Sequence, residues 1–141
     1  MLKITLLFTK KKLAAPTLAG LQEYKKRLSQ SCQLDWKTGV EPPAGEPSPH
    51  PGENSPIGQA QILSFLLDRT GPACTSPELA RQIQTWMASG TSQLVFYVGV
   101  QEKGPGSLCD TLSLSPVALS SNTAGLLITE QIYRAFRILE G

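Results

Sequence analysis

Near the start of the chain Leu2, Ile4, Leu6 and Phe8 alternate with Lys3, Thr5 and Leu7. Successive side chains of a strand point to opposite faces, so this spacing predicts a strand buried mainly on one side. Pro16 suits the first turn of a helix, and Leu18, Leu21, Tyr24 and Leu28 follow at steps of three and four, predicting a helix over about 16–29. Ile62 to Leu67 is a short apolar run closed by Asp68-Arg69-Thr70-Gly71, the pattern of a central strand leaving the sheet into a loop. A second helix is expected with Ser76 as its cap, Pro77 as its first residue and Glu78 at its positive end. Its apolar stripe would be Leu79, Ile83, Trp86 and Met87, and Gly90 would stop it.

Leu94 to Val98 predicts another buried strand, and Val117 to Leu119 a short one. Ser120-Ser121-Asn122-Thr123 then offers several caps for a long final helix, in which Ile128, Ile132 and Phe136 recur every four residues, widened by Leu127, Tyr133 and Leu139. Strands alternating with helices predict an α/β fold: a mostly parallel sheet with helices on both faces. At 141 residues the chain suits a single domain spanning 1–141. Between about 39 and 59 the density of prolines and glycines, from Gly39 to Pro56 and Gly58, excludes a regular element and predicts a long loop.

Composition narrows the function. Charged residues make up 17% of the chain, below the usual quarter, and no apolar run approaches the roughly 20 residues that cross a bilayer. Lys10-Lys11-Lys12 follows Ile4 to Phe8 where a cleavage site of small residues would stand, so no membrane span, no signal peptide and a cytoplasmic location are expected. Cys32, Cys74 and Cys109 are too widely spaced for a C-x-x-C site, and their odd number argues against a disulfide framework. The one histidine, His50, has no partner at ligand spacing, so no metal is expected. A net charge of +2 does not mark a nucleic-acid binder, although Lys10-Lys11-Lys12 and Lys25-Lys26-Arg27 are basic clusters. The stretch Gly99 to Gly106 is rich in glycine, yet lacks both the Lys-Ser/Thr of a phosphate loop and the G-x-G-x-x-G of a dinucleotide fold.

Three segments together resemble one family: Glu23-Tyr24-Lys25-Lys26-Arg27-Leu28; Leu67-Asp68-Arg69-Thr70-Gly71 continuing into Thr75-Ser76-Pro77-Glu78-Leu79-Ala80; and Leu112 through Ile138, with its Leu-Ser-Leu-Ser run and the helix Thr129 to Ile138. They are similar to the ribosomal RNA large-subunit methyltransferase H family of the SPOUT class, over nearly the whole chain except the Pro-rich insert. That resemblance implies a C-terminal trefoil knot, a homodimer, and S-adenosylmethionine as methyl donor for N3 of a pseudouridine in ribosomal RNA. The broad apolar stripe of the last helix adds to the expectation of a dimer.

The family holds its cofactor largely by main-chain groups of three loops, and the matching positions here are Leu67, Gly99, Leu114, Ser115, Pro116, Val117, Ala118 and Leu119. Main-chain contacts tolerate side-chain change, because every residue still offers a carbonyl and, except at proline, an amide. Departures from the family pattern are concentrated around the expected site. Val100 and Lys103 stand where the family has glycines, with Gly104 displaced by one. Ser120, Ser121 and Gly125 replace a Pro-His pair and an Arg, and no counterpart of the family's C-terminal tail is expected after Glu140-Gly141. The methyl-transfer site therefore reads as eroded, and no catalytic residue is assigned. Two functions stay open: an adenosylmethionine-dependent ribosomal RNA methyltransferase, or a non-catalytic relative serving as a ribosome- or protein-binding module. Lys10 to Lys12, Lys103, Arg134 and Arg137 are the cations available to dock RNA.

Overall fold

The structure is a computed structural model that describes residues 1–41, 61–69, 71–99 and 110–141. Within them lie five strands, β1 (Lys3–Phe8), β2 (Gln33–Lys37), β3 (Gln61–Leu67), β4 (Thr91–Val98) and β5 (Asp110–Leu112), and three helices, α1 (Ala15–Arg27), α2 (Ser76–Ala88) and α3 (Ser121–Glu140). All pairings are parallel and the strand order is β2-β1-β4-β3-β5. Most of the Pro-rich stretch expected at 39–59 lies outside the described residues, as do Thr70, Val100, Lys103, Gly104 and Cys109.

The register puts Ile4 beside Leu34 and Leu94, Leu6 beside Trp36 and Phe96, and Phe8 beside Val98, while Leu63 and Phe65 continue the same rows on β3. This face carries the core, together with Leu21 and Leu28 from the first helical segment, Leu79 and Ile83 from α2, and Ile128, Ile132 and Phe136 from α3. Leu66 and Val95 on the opposite face are buried yet stand outside that cluster. The Phe65 ring lies 5.2 Å from Trp86 of α2, Lys25 of α1 sits over Trp36 at 5.6 Å, and α3 packs on Phe8. Among the described residues all three helices thus cover one face, with α3 between α1 and α2, which corrects the expectation of helices on both faces.

Local departures from expectation have local causes. Thr75, not Ser76, caps α2: its Oγ1 accepts from the Glu78 amide at 3.3 Å and donates to the Glu78 carboxylate at 2.9 Å. The Ser76 hydroxyl instead donates to Gln131 of α3 at 2.6 Å, joining the two helices. Met87 is 45% exposed, so the face of α2 toward the core is Leu79, Ala80 and Ile83 with Trp86 half-buried. The short strand expected at Val117 to Leu119 is displaced to β5, because Asp110 to Leu112 completes the ladder along β3 while Val117 is turned to solvent. β2 is an edge strand with one buried row, and its pattern of Leu34 and Trp36 between Gln33, Asp35 and Lys37 was not singled out from sequence.

Candidate functional site

Because the strands are parallel, their carboxyl ends share one rim, the usual place for ligands in open α/β sheets. A hollow opens there beyond β3 and β4, lined by Leu67, Asp68, Arg69, Gly99, Leu114, Ser115, Val117, Ala118, Leu119 and Ala124. It is a half-open hollow with a cavity volume of about 70 Å³, set in about 530 Å³ of empty space that takes in open solvent. A drug-sized or cofactor pocket runs to roughly 300–1,000 Å³, so a ligand of that size must extend into the open space at the mouth.

Backbone geometry holds the walls together. Asp68 N–H donates to Leu112 O at 3.0 Å and Ser113 N–H donates to Pro72 O at 3.0 Å, which fixes the loop after β3 against the segment after β5. The buried Ser113 hydroxyl lies 3.2 Å from Arg69 O and 3.1 Å from Ser115 O; with one proton it can serve either carbonyl, and both belong to the lining. Ser115 Oγ accepts from the Val117 amide at 3.1 Å and shapes the turn between them.

Gly99 supplies the wall at the end of β4. Its φ of +103° is a conformation other residues rarely adopt, and a Cβ placed there would stand 2.6 Å from Thr9 Oγ1 and 2.8 Å from Ser121 Oγ. The main chain therefore approaches β1's exit and the start of α3 as only glycine permits. Ser120 caps α3, its Oγ accepting from the Thr123 amide at 3.2 Å, and Ala124 one turn on closes the hollow.

Leu67, Gly99, Leu114, Ser115, Val117, Ala118 and Leu119, each a position expected to meet the cofactor, are brought around this one hollow. Pro116 is not: it is exposed and outside the lining. Asp68, Arg69 and Ala124 belong to the wall and were not anticipated as site residues. Asp68 is only 4% exposed, and an acid directly after a strand such as Ile62 to Leu67 is the signal that could have marked it. Ser120 caps α3, Ser121 stands beside Gly99, and Gly125 is buried under the Phe8 ring. No group of three His, Cys, Asp or Glu side chains that could hold a metal occurs among the described residues. No helix among them is long and apolar enough to cross a membrane.

A parallel sheet with a hollow at its carboxyl rim defines an open α/β domain, and the family is given by comparison with known proteins. A family model described as "Predicted SPOUT methyltransferase" matches residues 2–141, and the chain belongs to that family. The chain is 32% identical to the ribosomal RNA large subunit methyltransferase H of Syntrophomonas wolfei, covering 88% of this chain and 87% of that protein. It is 31% identical to the putative enzyme of the same name from Methanospirillum hungatei, over 86% and 85% of the two chains. With the enzyme so named from Acetivibrio thermocellus it shares 29% identity over 86% of each.

Proposed function

We propose that the hollow binds S-adenosylmethionine and that the protein acts on ribosomal RNA of the large subunit, with N3 of a pseudouridine as the methyl acceptor. The observation that carries this reading is the convergence of three separate segments, at Leu67, Gly99 and Leu114 to Leu119, on one hollow in a member of a methyltransferase family. The lining suits the ligand: apolar side chains for the adenosine, and at Gly99 a bare main chain where a Cβ would not fit. The Asp68 carboxylate is the one acidic side chain among the described lining residues, and its charge complements a cationic ligand.

When bound, adenosylmethionine supplies a methyl carbon activated by its sulfonium. The chain's own task is to align the base and give its N3 proton a destination. Arg69 is exposed at the mouth and can hold a phosphate or base edge; Asp68 is the carboxylate that the described lining offers. The trefoil knot and the homodimer are part of the same proposal and are supported by the resemblance. The α3 stripe does not add to it, since Ile128, Ile132, Ala135 and Phe136 are spent in the protein's own core. Light scattering decides the oligomeric state. A protein acting on the ribosome works in the cytoplasm.

A second reading is favoured by the first turns of α3, where the hydroxyl of Ser120 is a cap and Gly125 is buried, so neither can position RNA as a Pro-His pair and an Arg would. On that reading the protein keeps the pocket, lacks transfer and serves as a ribosome-bound module. Calorimetry with adenosylmethionine is the first test: binding is expected, and no heat at millimolar ligand removes the methyltransferase reading. Ribosomal RNA from cells lacking the protein is the second, where an unchanged content of methylated pseudouridine leaves only the module.

A further inference from the structure

The run Lys10-Lys11-Lys12 is placed by the fold on the same rim as the hollow. It follows β1 directly and is fixed on both sides. Toward β2, Gly39 N–H donates to Lys10 O at 2.9 Å and Val40 N–H donates to Phe8 O at 3.0 Å. Toward β4 and α3, Thr9 N–H donates to Val98 O at 3.1 Å, Thr9 Oγ1 faces Gly99, and Ala14 N–H donates to Asn122 Oδ1 at 2.9 Å. The lysines thus begin directly after a residue that touches the wall of the hollow.

Lys37 at the end of β2 and Arg69 after β3 stand on this rim too, and all five cations are exposed. None takes part in an ion pair among the described residues. Of the described acids close to these cations in the chain, Asp68 is buried, Glu41 is exposed and Asp35 is paired with Lys25. The other basic sites differ. Lys25 is paired with Asp35 at 2.8 Å, Arg27 with Glu23 at 3.0 Å, Arg134 with Glu130 at 2.7 Å, and Arg137 with Glu140. Lys3, Lys26 and Arg81 make no ion pair among the described residues but stand apart, on the opposite end of β1, the end of α1 and the middle of α2.

We propose that Lys10, Lys11, Lys12, Lys37 and Arg69 form the RNA-docking rim, clasping phosphates on either side of a nucleotide presented to the hollow. This rests on the methyltransferase reading and adds which surface meets the RNA. Unpaired lysines on a fixed loop act as point charges that position phosphates without reading sequence. The α3 arginines, available by sequence, are neutralised by their own helix and lie toward the other end of the sheet, where Ser31 before β2 bonds Glu140.

The test uses the full chain and a fluorescently labelled RNA hairpin with pseudouridine in its loop, titrated at several salt concentrations. The variant Lys10→Gln, Lys11→Gln, Lys12→Gln is compared with Arg134→Gln, Arg137→Gln. For the lysine variant the slope of log affinity against log salt is expected to fall by about 2, since each phosphate no longer neutralised removes roughly 0.7–0.9, with affinity at low salt reduced at least about tenfold. The arginine variant should keep the slope of the unaltered protein. Equal slopes for the lysine variant and the unaltered protein, or an equal fall in the arginine variant, overturn the proposal. Adenosylmethionine calorimetry on the same proteins keeps the two readings apart. Cofactor binding with RNA affinity indifferent to Lys10 to Lys12 sinks the rim alone, whereas absent cofactor binding sinks the methyltransferase reading.

Discussion

Gly99 shows how much can depend on one missing side chain. Its positive φ and the closeness of Thr9 and Ser121 mean that Gly99→Ala meets both backbone strain and a steric clash. A cost of about 1–3 kcal/mol is expected from chemical denaturation, and adenosylmethionine affinity should fall by more than the stability change alone explains. Unchanged affinity in the folded variant would mean that the main chain at this point does not meet the ligand. Sequence marked Gly99 through the resemblance, but could not show that Thr9 and Ser121, 112 residues apart by their numbers in the sequence, are what forbid a Cβ there. Asp68 was legible as a strand exit and not as a wall, because its burial depends on β5 pairing beside it.

At the scale of elements, α3 is seated on the sheet by Gly125. A Cβ there would come within 2.6 Å of the Phe8 ring, which is itself fully buried and has nowhere to move. Gly125→Ala gains about 1 kcal/mol of helix propensity but overpacks the core at a cost of about 1–3 kcal/mol. A net loss of stability is expected in urea denaturation, and the far larger Gly125→Arg should fail to fold stably. Stabilisation by Gly125→Ala would show that Phe8 can yield. The cap of α2 makes a related point: Ser76 is the better cap by residue type, yet Thr75 takes the position while the Ser76 hydroxyl bonds Gln131 across the helix pair.

For the whole molecule, the helix layer on one face makes α3 the common support of α1, α2 and β4 among the described residues, and the core is expected to open only with global unfolding. Cys32 reports this. Burial, with Glu140 adding to it, pushes its thiol up to about 12, so ionising it opposes folding. Stability from this group is whole below the range of an unfolded thiol, about 8.5, and declines as pH rises from there toward 12. Alkylation of Cys32 by iodoacetamide at mildly alkaline pH is therefore expected to track global unfolding, read by mass spectrometry across a denaturant series. Labelling of Cys32 in the absence of denaturant, at the rate of an exposed thiol, would show that the core opens locally.

The sequence by itself determined the period of each element, and hence β1, β3, β4 and the three helices, because alternation and the three-to-four spacing are properties of neighbouring residues. It also carried the family, through short words in Leu67 to Ala80 and Leu112 to Ile138. Strand order, the face chosen by the helices, the exchange of Val117–Leu119 for β5, and the gathering of Lys10 to Lys12 with the hollow on one rim were decided only in three dimensions. Each depends on contacts between residues far apart in the chain, whose energies no local spacing contains.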